Sequence, residues 1–417
     1  MEERKDRVVL IGASLGDKSL NDTDEASMKE LNELVKTANG EVIGEIVQNI
    51  KTIDPATFIG SGKVQEIKEF IDNNDVNMAV FDTELSGSIT KNLESQLGVT
   101  VIDRSRLILD IFAMRAKSKE GKCQVELAQL KYILPRLSGI GQSLSRLGGG
   151  IGTRGPGETK LESDRRHIRR KIEHLSDELK EIEKHRSNLR KKRTEDSIPV
   201  VALVGYTNVG KSSLLNLLSE SDDAYVENKL FATLDPLMRK ITLSDKTEFI
   251  ICDTVGFIRK LPHHLIEAFK STLEETKYAD LIIHLADASN DELDKSIQVV
   301  NKLINELNED NKPVITVFNK CDIKEPPLYY QNMNTVNISV KERKNIDILL
   351  EKIKEVIFST KKRVKVIIPF SQGGLLGLLY KTSTIVSEES KEDGFHMEIV
   401  CDLEIYNKIK EFENGEI

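Results

Sequence analysis

An apolar run, a glycine-punctuated loop and an apolar helix start follow one another without a break over residues 199–218, reading PVVALV, GYTNVGKS and SLLNLL. The middle segment fits GxxxxGK[ST], a pattern whose glycines let backbone N–H groups approach phosphate oxygens. In it Lys211 reaches the β and γ phosphates and Ser212 holds Mg²⁺. The context is the one this chemistry needs: a buried strand delivers the loop, and the helix that leaves it points the positive end of its dipole at the anion. Gly205, Tyr206, Thr207, Asn208, Val209, Gly210, Lys211, Ser212 and Ser213 are therefore the phosphate-side candidates.

The base is read elsewhere. Asn319-Lys320-Cys321-Asp322 begins 107 residues past Ser212 and follows a second buried-strand pattern, PVITVF over residues 313–318. A carboxylate at Asp322 accepts both N–H donors on the guanine edge, a pair adenine does not offer, while Asn319 braces the loop. Ser339-Val340-Lys341 is a partial match to the last guanine-side loop. Between the two ends, Asp253-Thr254-Val255-Gly256 closes the apolar stretch Phe249–Cys252. Asp253 then sits at a strand's carboxyl edge, orienting Mg²⁺ through water, and the Gly256 N–H faces the γ-phosphate. Thr233, in Leu230-Phe231-Ala232-Thr233-Leu234, occupies the place of a switch threonine that binds Mg²⁺. Lys211, Thr233, Asp253 and Gly256 are the candidate catalytic residues, Ser212 and Thr233 the metal ligands, and GTP the substrate.

The residue after DTVG is Phe257, where many small GTPases carry a glutamine that orients the attacking water. A phenyl ring neither accepts nor donates such a bond. Slow intrinsic hydrolysis completed by a partner is one reading; simple packing beneath the switch is another, and the two are compatible.

At 417 residues the chain is longer than one typical domain. It combines 39% hydrophobic with 31% charged residues, and no stretch approaches the roughly 20 apolar residues of a membrane span. The charged start Met1–Arg7 shows no signal peptide, and Cys123, Cys252, Cys321 and Cys401 have no metal-ligand spacing. A cytoplasmic monomer with reduced thiols and no membrane insertion is expected. Charge is uneven: residues 115–194 hold 21 lysines and arginines against 10 aspartates and glutamates, a net of +11, so the remainder carries −19 for a whole-chain charge of −8. Such asymmetry points to one localised polyanion contact.

The fold class expected is multidomain α/β. Residues 1–114 alternate strand patterns (Val8–Ile11, Glu41–Ile50, Met78–Phe81, Val99–Ile102) with helical stretches (Ala26–Ala38, Val64–Ile71), an N-terminal α/β domain. Within it Gly60-Ser61-Gly62-Lys63 resembles half a phosphate loop, but position 57, where the first glycine belongs, is Thr57; a glycine-rich helix start is the preferred reading over a second nucleotide site. Residues 198–361 form the GTPase domain, a doubly wound, mainly parallel sheet with further strands at Leu281–Leu285 and Thr335–Val340 and helices at Asp294–Leu307 and Ile346–Phe358. Residues 362–417 read as a small α+β domain, with strands Val364–Pro369 and Phe395–Asp402 and helices Gly374–Tyr380 and Tyr406–Phe412.

Between these lies a helical hairpin, residues 115–197. Cys123, Leu127, Leu130, Leu134 and Leu137 fall at 4-3-4-3 spacing, and Leu161, Ile168, Ile172, Leu175, Leu179, Ile182 and Leu189 keep the same register with Arg165 and Arg186 in two gaps. Matching seams on consecutive helices predict an antiparallel coiled-coil-like pair, the second arm about 45 Å long at about 1.5 Å per residue. The connector 138–157 has eight glycines among 20 residues, with Arg146 and Arg154 its only charges. Followed by Arg165, Arg166, Arg169, Arg170 and Lys171, it reads as a probe whose arginines bind RNA phosphate or stack on bases, or else as a linker beside a solvated basic helix.

Taken together, GYTNVGKSSLLN, LFATLDP, DTVGFIRKLP, NKCD and the glycine-rich GGGIGTRGPGETKLE resemble the HflX family of translation-associated GTPases, of the Obg-HflX group, over essentially the full length. The resemblance implies binding to the large ribosomal subunit, with the hairpin and its loop reaching ribosomal RNA near the peptidyl transferase centre. It also implies GTP-dependent splitting or rescue of stalled ribosomes, often linked to stress. Some relatives bind ATP through the N-terminal domain, and the incomplete motif at Lys63 departs from what that needs. Asn208 stands where potassium-dependent GTPases hold K⁺. Two alternatives remain: a GTPase acting on another RNA such as tRNA, and a GTP-sensing module without turnover.

Overall fold

The structure, a computed structural model, describes residues 5–14, 25–137, 156–195, 198–219, 237–243, 245–260, 275–307, 312–359 and 361–413. It has the expected multidomain α/β architecture. The N-terminal part is a four-stranded parallel sheet in the order β2-β1-β3-β4, built from β1 (Arg7–Ser14), β2 (Glu41–Asn49), β3 (Met78–Phe81) and β4 (Thr100–Asp103). Strand side chains alternate between faces, so Val8 and Leu10 pack on one side under α1 (Glu25–Thr37) and α4 (Arg104–Arg115). Val9 and Ile11 pack on the other under α2 (Ser61–Asn73) and α3 (Gly87–Leu97). The Gly60–Lys63 stretch is an ordinary helix start, since α2 begins at Ser61 and Lys63 pairs with Glu66 at 2.6 Å.

Helices α5 (Lys119–Arg136) and α6 (Pro156–Glu195) form the antiparallel hairpin. Lys119 pairs with Glu178 at 2.6 Å, and one heptad along, Glu126 pairs with Lys171, so a step up one helix is a step down the other. Cys123, Leu127 and Leu175 are buried in the seam, with Leu130, Ile172 and Leu179 beside them. One expectation changes. Helix α6 has 40 residues, starting at Pro156 rather than near Glu158, which at about 1.5 Å per residue is about 60 Å rather than about 45 Å. Helix α5 also packs on the N-terminal part, where Val125, Ala128 and Tyr132 on its other face complete the core under α4. Residues 138–155, with Arg146 and Arg154, lie outside the described residues.

The GTPase part is a six-stranded sheet, order β10-β9-β8-β5-β7-β6. Its strands are β5 (Val200–Gly205), β6 (Leu237–Thr242), β7 (Glu248–Asp253), β8 (Leu281–Asp287), β9 (Val314–Asn319) and β10 (Thr335–Asn337). All neighbours are parallel except β6, which runs antiparallel to β7. Val201 and Leu203 pack toward α7 (Lys211–Leu218) and α9 (Ile346–Ser359), and Ala202 and Val204 toward α8 (Leu293–Leu307). Burial on both faces explains the unbroken apolar strand patterns. The C-terminal part is a three-stranded antiparallel sheet, β11 (Lys361–Ile368), β13 (Gly394–Asp402) and β12 (Thr384–Lys391), covered by α10 (Gly373–Thr382) and α11 (Leu403–Ile409).

Candidate active site

The loop leaving β5 turns sharply through Asn208 (φ 61°) and Gly210 (φ 100°) before α7 begins at Lys211. Gly210 caps α7 with no side-chain bond, so the first N–H groups of the helix face the loop, as an anion needs. Thr207 Oγ1 is buried there without a hydrogen-bond partner in the protein. Lys211 is buried and donates to Gly205 O at 3.1 Å and Tyr206 O at 2.8 Å. Burial pushes its ammonium down to about 8 against the pull of Asp253.

Strand β7 ends on Asp253, whose Oδ2 accepts from Ser212 Oγ at 2.7 Å. A hydroxyl and a carboxylate so close offer hard oxygen donors of the kind Mg²⁺ takes. No group of three or more His, Cys, Asp or Glu side chains suited to a metal occurs among the described residues. Leu230, Phe231, Ala232, Thr233 and Leu234 lie outside the described residues.

Past Asp253 the chain stays against the loop. Thr254 Oγ1 donates to Leu203 O at 2.6 Å, Phe257 N to Gly205 O at 3.1 Å, and Thr207 N to Phe257 O at 2.8 Å. A Cβ on Gly256 would come within 2.8 Å of Lys211 Nζ and 2.9 Å of Thr207 Cα, so only glycine fits. Val255 is buried between this segment and the α4 core. The Phe257 ring is buried among Ala202, Val204, Ala279 and Ile282, on the far side of its own backbone contact. Of the two readings of Phe257, packing is the one displayed.

The residues expected on the guanine side are bonded to one another. Asn319, at the end of β9, donates through Nδ2 to Val209 O at 2.8 Å and accepts from Val340 N at 3.0 Å. It therefore ties the phosphate loop to the Ser339–Lys341 loop across 110 residues of sequence. Asp322 Oδ1 accepts from Ser339 Oγ at 2.6 Å, a bond that holds its carboxyl below the usual range, and Ser339 Oγ accepts in turn from Glu342 N at 3.1 Å. Lys320 takes φ 62° and pairs with Asp287 at 2.6 Å. The sequence reading passed over Asp287, although an apolar strand ending on a carboxylate, LIIHLAD, was a usable signal.

Also missed was a set of charged residues from the N-terminal part. Tyr206 of the phosphate loop donates to Glu30 of α1, and Arg259 N, two residues after Phe257, donates to Tyr206 Oη at 2.7 Å and to Glu30 Oε1 at 3.2 Å. Arg104 donates to Glu30, to Asp82 Oδ1 at 2.8 Å and to Arg259 O at 3.1 Å. Lys260 pairs with Asp82 at 2.5 Å. No periodicity marks these residues, which look like ordinary surface charges until the fold brings them together.

On α6, Arg166 and Arg169 are exposed and Arg165 is half-buried. Arg186, the other arginine in the seam, pairs with Glu120 at 3.0 Å and lies 3.8 Å from Glu275 of the GTPase part. Among the described residues no helix is long and apolar enough to cross a membrane.

Comparison with known proteins gives three family matches in chain order. Residues 25–113 match a model described as GTP-binding GTPase N-terminal, residues 115–193 one described as GTP-binding GTPase Middle Region, and residues 200–320 one described as 50S ribosome-binding GTPase. The chain is 50% identical over 389 residues to GTPase HflX of Caldanaerobacter subterraneus subsp. tengcongensis, spanning 93% of this chain and 90% of that one. It is 44% identical over 409 residues to GTPase HflX of Lacrimispora saccharolytica, spanning 97% and 96%. Among solved structures, a GTP-binding protein from the archaeon Sulfolobus solfataricus in complex with GDP is 26% identical, spans 85% of this chain and 99% of that one, and superposes with a TM-score of 0.46.

Proposed function

The chain belongs to the HflX family of GTPases, and from that premise we propose that it is a cytoplasmic, ribosome-gated GTP switch working on the large subunit. The observation that carries this reading is the convergence of GYTNVGKS, DTVG, NKCD and SVK on one end of a single sheet, joined by the Asn319 bonds to Val209 and Val340. Asp322 reads the guanine edge, with Lys320 and Ser339 to Lys341 shaping its pocket. Residues 205–213 cradle the phosphates, with Lys211 countering their charge and the Gly256 N–H meeting the third. Ser212 and Thr233 hold Mg²⁺, with Asp253 acting through water, and Asn208 is the position for K⁺. When bound, Mg²⁺ neutralises charge that develops on the phosphate oxygens during transfer.

With Phe257 turned into the core, the residue directly after DTVG offers no group to orient an attacking water, which supports slow turnover alone and stimulation by a partner. The ribosome as that partner is supported by the description of the family model over residues 200–320 and by the basic start of α6. On this reading Arg146, Arg154, Arg165, Arg166 and Arg169 contact ribosomal RNA, and GTP-dependent binding splits or rescues stalled ribosomes. The test is cosedimentation of the full chain with 50S subunits in the presence of a nonhydrolysable GTP analogue, paired with GTP turnover assayed with and without 50S. Arg146→Ala/Arg154→Ala should lose cosedimentation while keeping nucleotide binding. Turnover unaffected by 50S would overturn the assignment of partner.

A further inference from the structure

Hydrolysis needs a group that holds the attacking water, and the residue directly after DTVG does not supply it, because the Phe257 ring is buried among Ala202, Val204, Ala279 and Ile282. The backbone of that residue nevertheless marks a neighbour. Phe257 O accepts from Thr207 N at 2.8 Å, so the third residue of the phosphate loop stands directly against the position from which a glutamine would act. Thr207 is 6% exposed, and its Oγ1 is buried with no hydrogen-bond partner in the protein. A buried hydroxyl left in that state is costly, and such groups are retained where a ligand or a reaction uses them. Three neighbouring hydroxyls are already spent: Tyr206 Oη donates to Glu30, Ser212 Oγ to Asp253 Oδ2 at 2.7 Å, and Thr254 Oγ1 to Leu203 O at 2.6 Å.

The place of Thr207 suits a group that must face the third phosphate. The point a Cβ on Gly256 would take lies 2.8 Å from Lys211 Nζ and 2.9 Å from both Cα and Cγ2 of Thr207. The lysine that answers phosphate charge, the glycine whose N–H meets the third phosphate, and Thr207 therefore close on one spot. Of the next two residues in the loop, Asn208 is exposed and Val209 has no polar atom in its side chain.

We propose that Thr207 is a further catalytic residue of GTP hydrolysis, its hydroxyl holding the attacking water in the role that a glutamine after DTVG would play. This rests on the nucleotide site assigned above. A threonine hydroxyl both accepts and donates, so Oγ1 accepts from the water and donates to an oxygen of the third phosphate. The water oxygen bonds to the third phosphorus, and the bond from that phosphorus to the oxygen shared with the second phosphate breaks, its electron pair leaving with GDP. One proton of the water stays on its oxygen and the other passes to an oxygen of the same phosphoryl group, giving dihydrogen phosphate. Thr207 keeps its own proton throughout. A single hydroxyl offers the water one point of attachment where a carboxamide offers two, which accords with slow turnover.

The test is the single-turnover rate of GTP hydrolysis by the full chain with Mg²⁺, alone and with 50S subunits, read beside equilibrium binding of GDP and a nonhydrolysable GTP analogue. Thr207→Val keeps the branched shape and removes the hydroxyl: the rate at saturating GTP should fall about tenfold while both affinities stay within about threefold. Thr207→Ser, which restores the hydroxyl and gives up the methyl group, should recover to within about threefold of the wild type. With the unpartnered hydroxyl gone, Thr207→Val should unfold at a denaturant concentration no lower than the wild type, so a slower reaction is not the result of a weakened fold. Thr207→Ala reads the same rate and affinities should Thr207→Val not fold. Hydrolysis by Thr207→Val at the wild-type rate, Thr207→Ser as slow as Thr207→Val, or a loss of analogue affinity as large as the loss of rate would each overturn the proposal. If the wild type binds neither nucleotide, the assignment of the site itself has failed, and the role of Thr207 with it.

Discussion

The two ends of the nucleotide site are built differently. At the guanine end, Asn319, Asp322, Ser339 and Val340 already bond to one another and to the phosphate loop, and the residues come from β9 and its following loops in the same part of the molecule. At the far end, Gly256 rests on Lys211 and Thr207, and the chain beyond it is fastened to another part of the molecule. On the proposed assignment of the site, a ligand's base meets residues already bonded to one another, and its last phosphate meets a segment fastened to the N-terminal part. Di- and triphosphate share the first surface, and only the triphosphate reaches the second.

That contrast can be broken in four ways. The largest effect is expected from Asp322→Asn, which on the proposed assignment removes a charge-assisted pair of bonds to the guanine edge: GDP and GTP affinity should fall together by at least about 100-fold, with xanthine nucleotides gaining. Equilibrium titration with all three would expose an error if guanine binding survived. Next, Gly256→Ala forces a methyl group to within 2.8 Å of Lys211 Nζ. Overpacking of this kind costs about 2 kcal/mol, and the clash belongs to the arrangement in which Gly256 rests on Thr207 and Lys211, so denaturant unfolding should show a loss of stability of about that size. A variant as stable as the wild type would show that Gly256 does not rest on the phosphate loop.

The third concerns pH. Burial pushes the Lys211 ammonium down to about 8, and on the proposed assignment it must carry its proton to hold phosphate. Affinity should be flat below that value and decline above it, by about tenfold between pH 7 and pH 9, because at one unit past the pKa about a tenth of the lysine remains charged. A pH series repeated on Lys211→Met, which should show no such decline, attributes the effect. The smallest effect is expected from Ser339→Ala. Losing the bond that holds the Asp322 carboxyl low should weaken both nucleotides about fivefold, an amount near 1 kcal/mol. Calorimetry that found GTP alone affected would contradict the prebuilt guanine end.

Much of the fold was legible because its strands and helices carry strong periodicity. What escaped did so for physical reasons. Helix α4, RSRLILDIFAMR, buries Leu107, Ile108, Leu109, Ile111 and Phe112 around most of its circumference, so no polar face marks its turns. Strand β12, TIVSEESK, is a sheet edge whose last six residues are exposed, and it shows no inward alternation. At the site, GYTNVGKS, DTVG and NKCD were readable because phosphate and guanine impose residue types at fixed local spacing. Glu30 and Tyr206 stand 176 residues apart, and Asp82 and Lys260 stand 178 apart, with no ligand to dictate their types. Only folding reveals them as neighbours.

Helix α6 makes the hairpin a lever. Arg186, beside Glu275 at the GTPase part, lies 30 residues from the helix start at Pro156, about 45 Å along the axis. A tilt of about 5° at that pivot carries the far end through about 4 Å, more than the width of a hydrogen bond. A movement at the GTPase part too small to alter the hairpin's own seam would thereby be magnified at the start of α6 into a displacement large enough to make or break a contact.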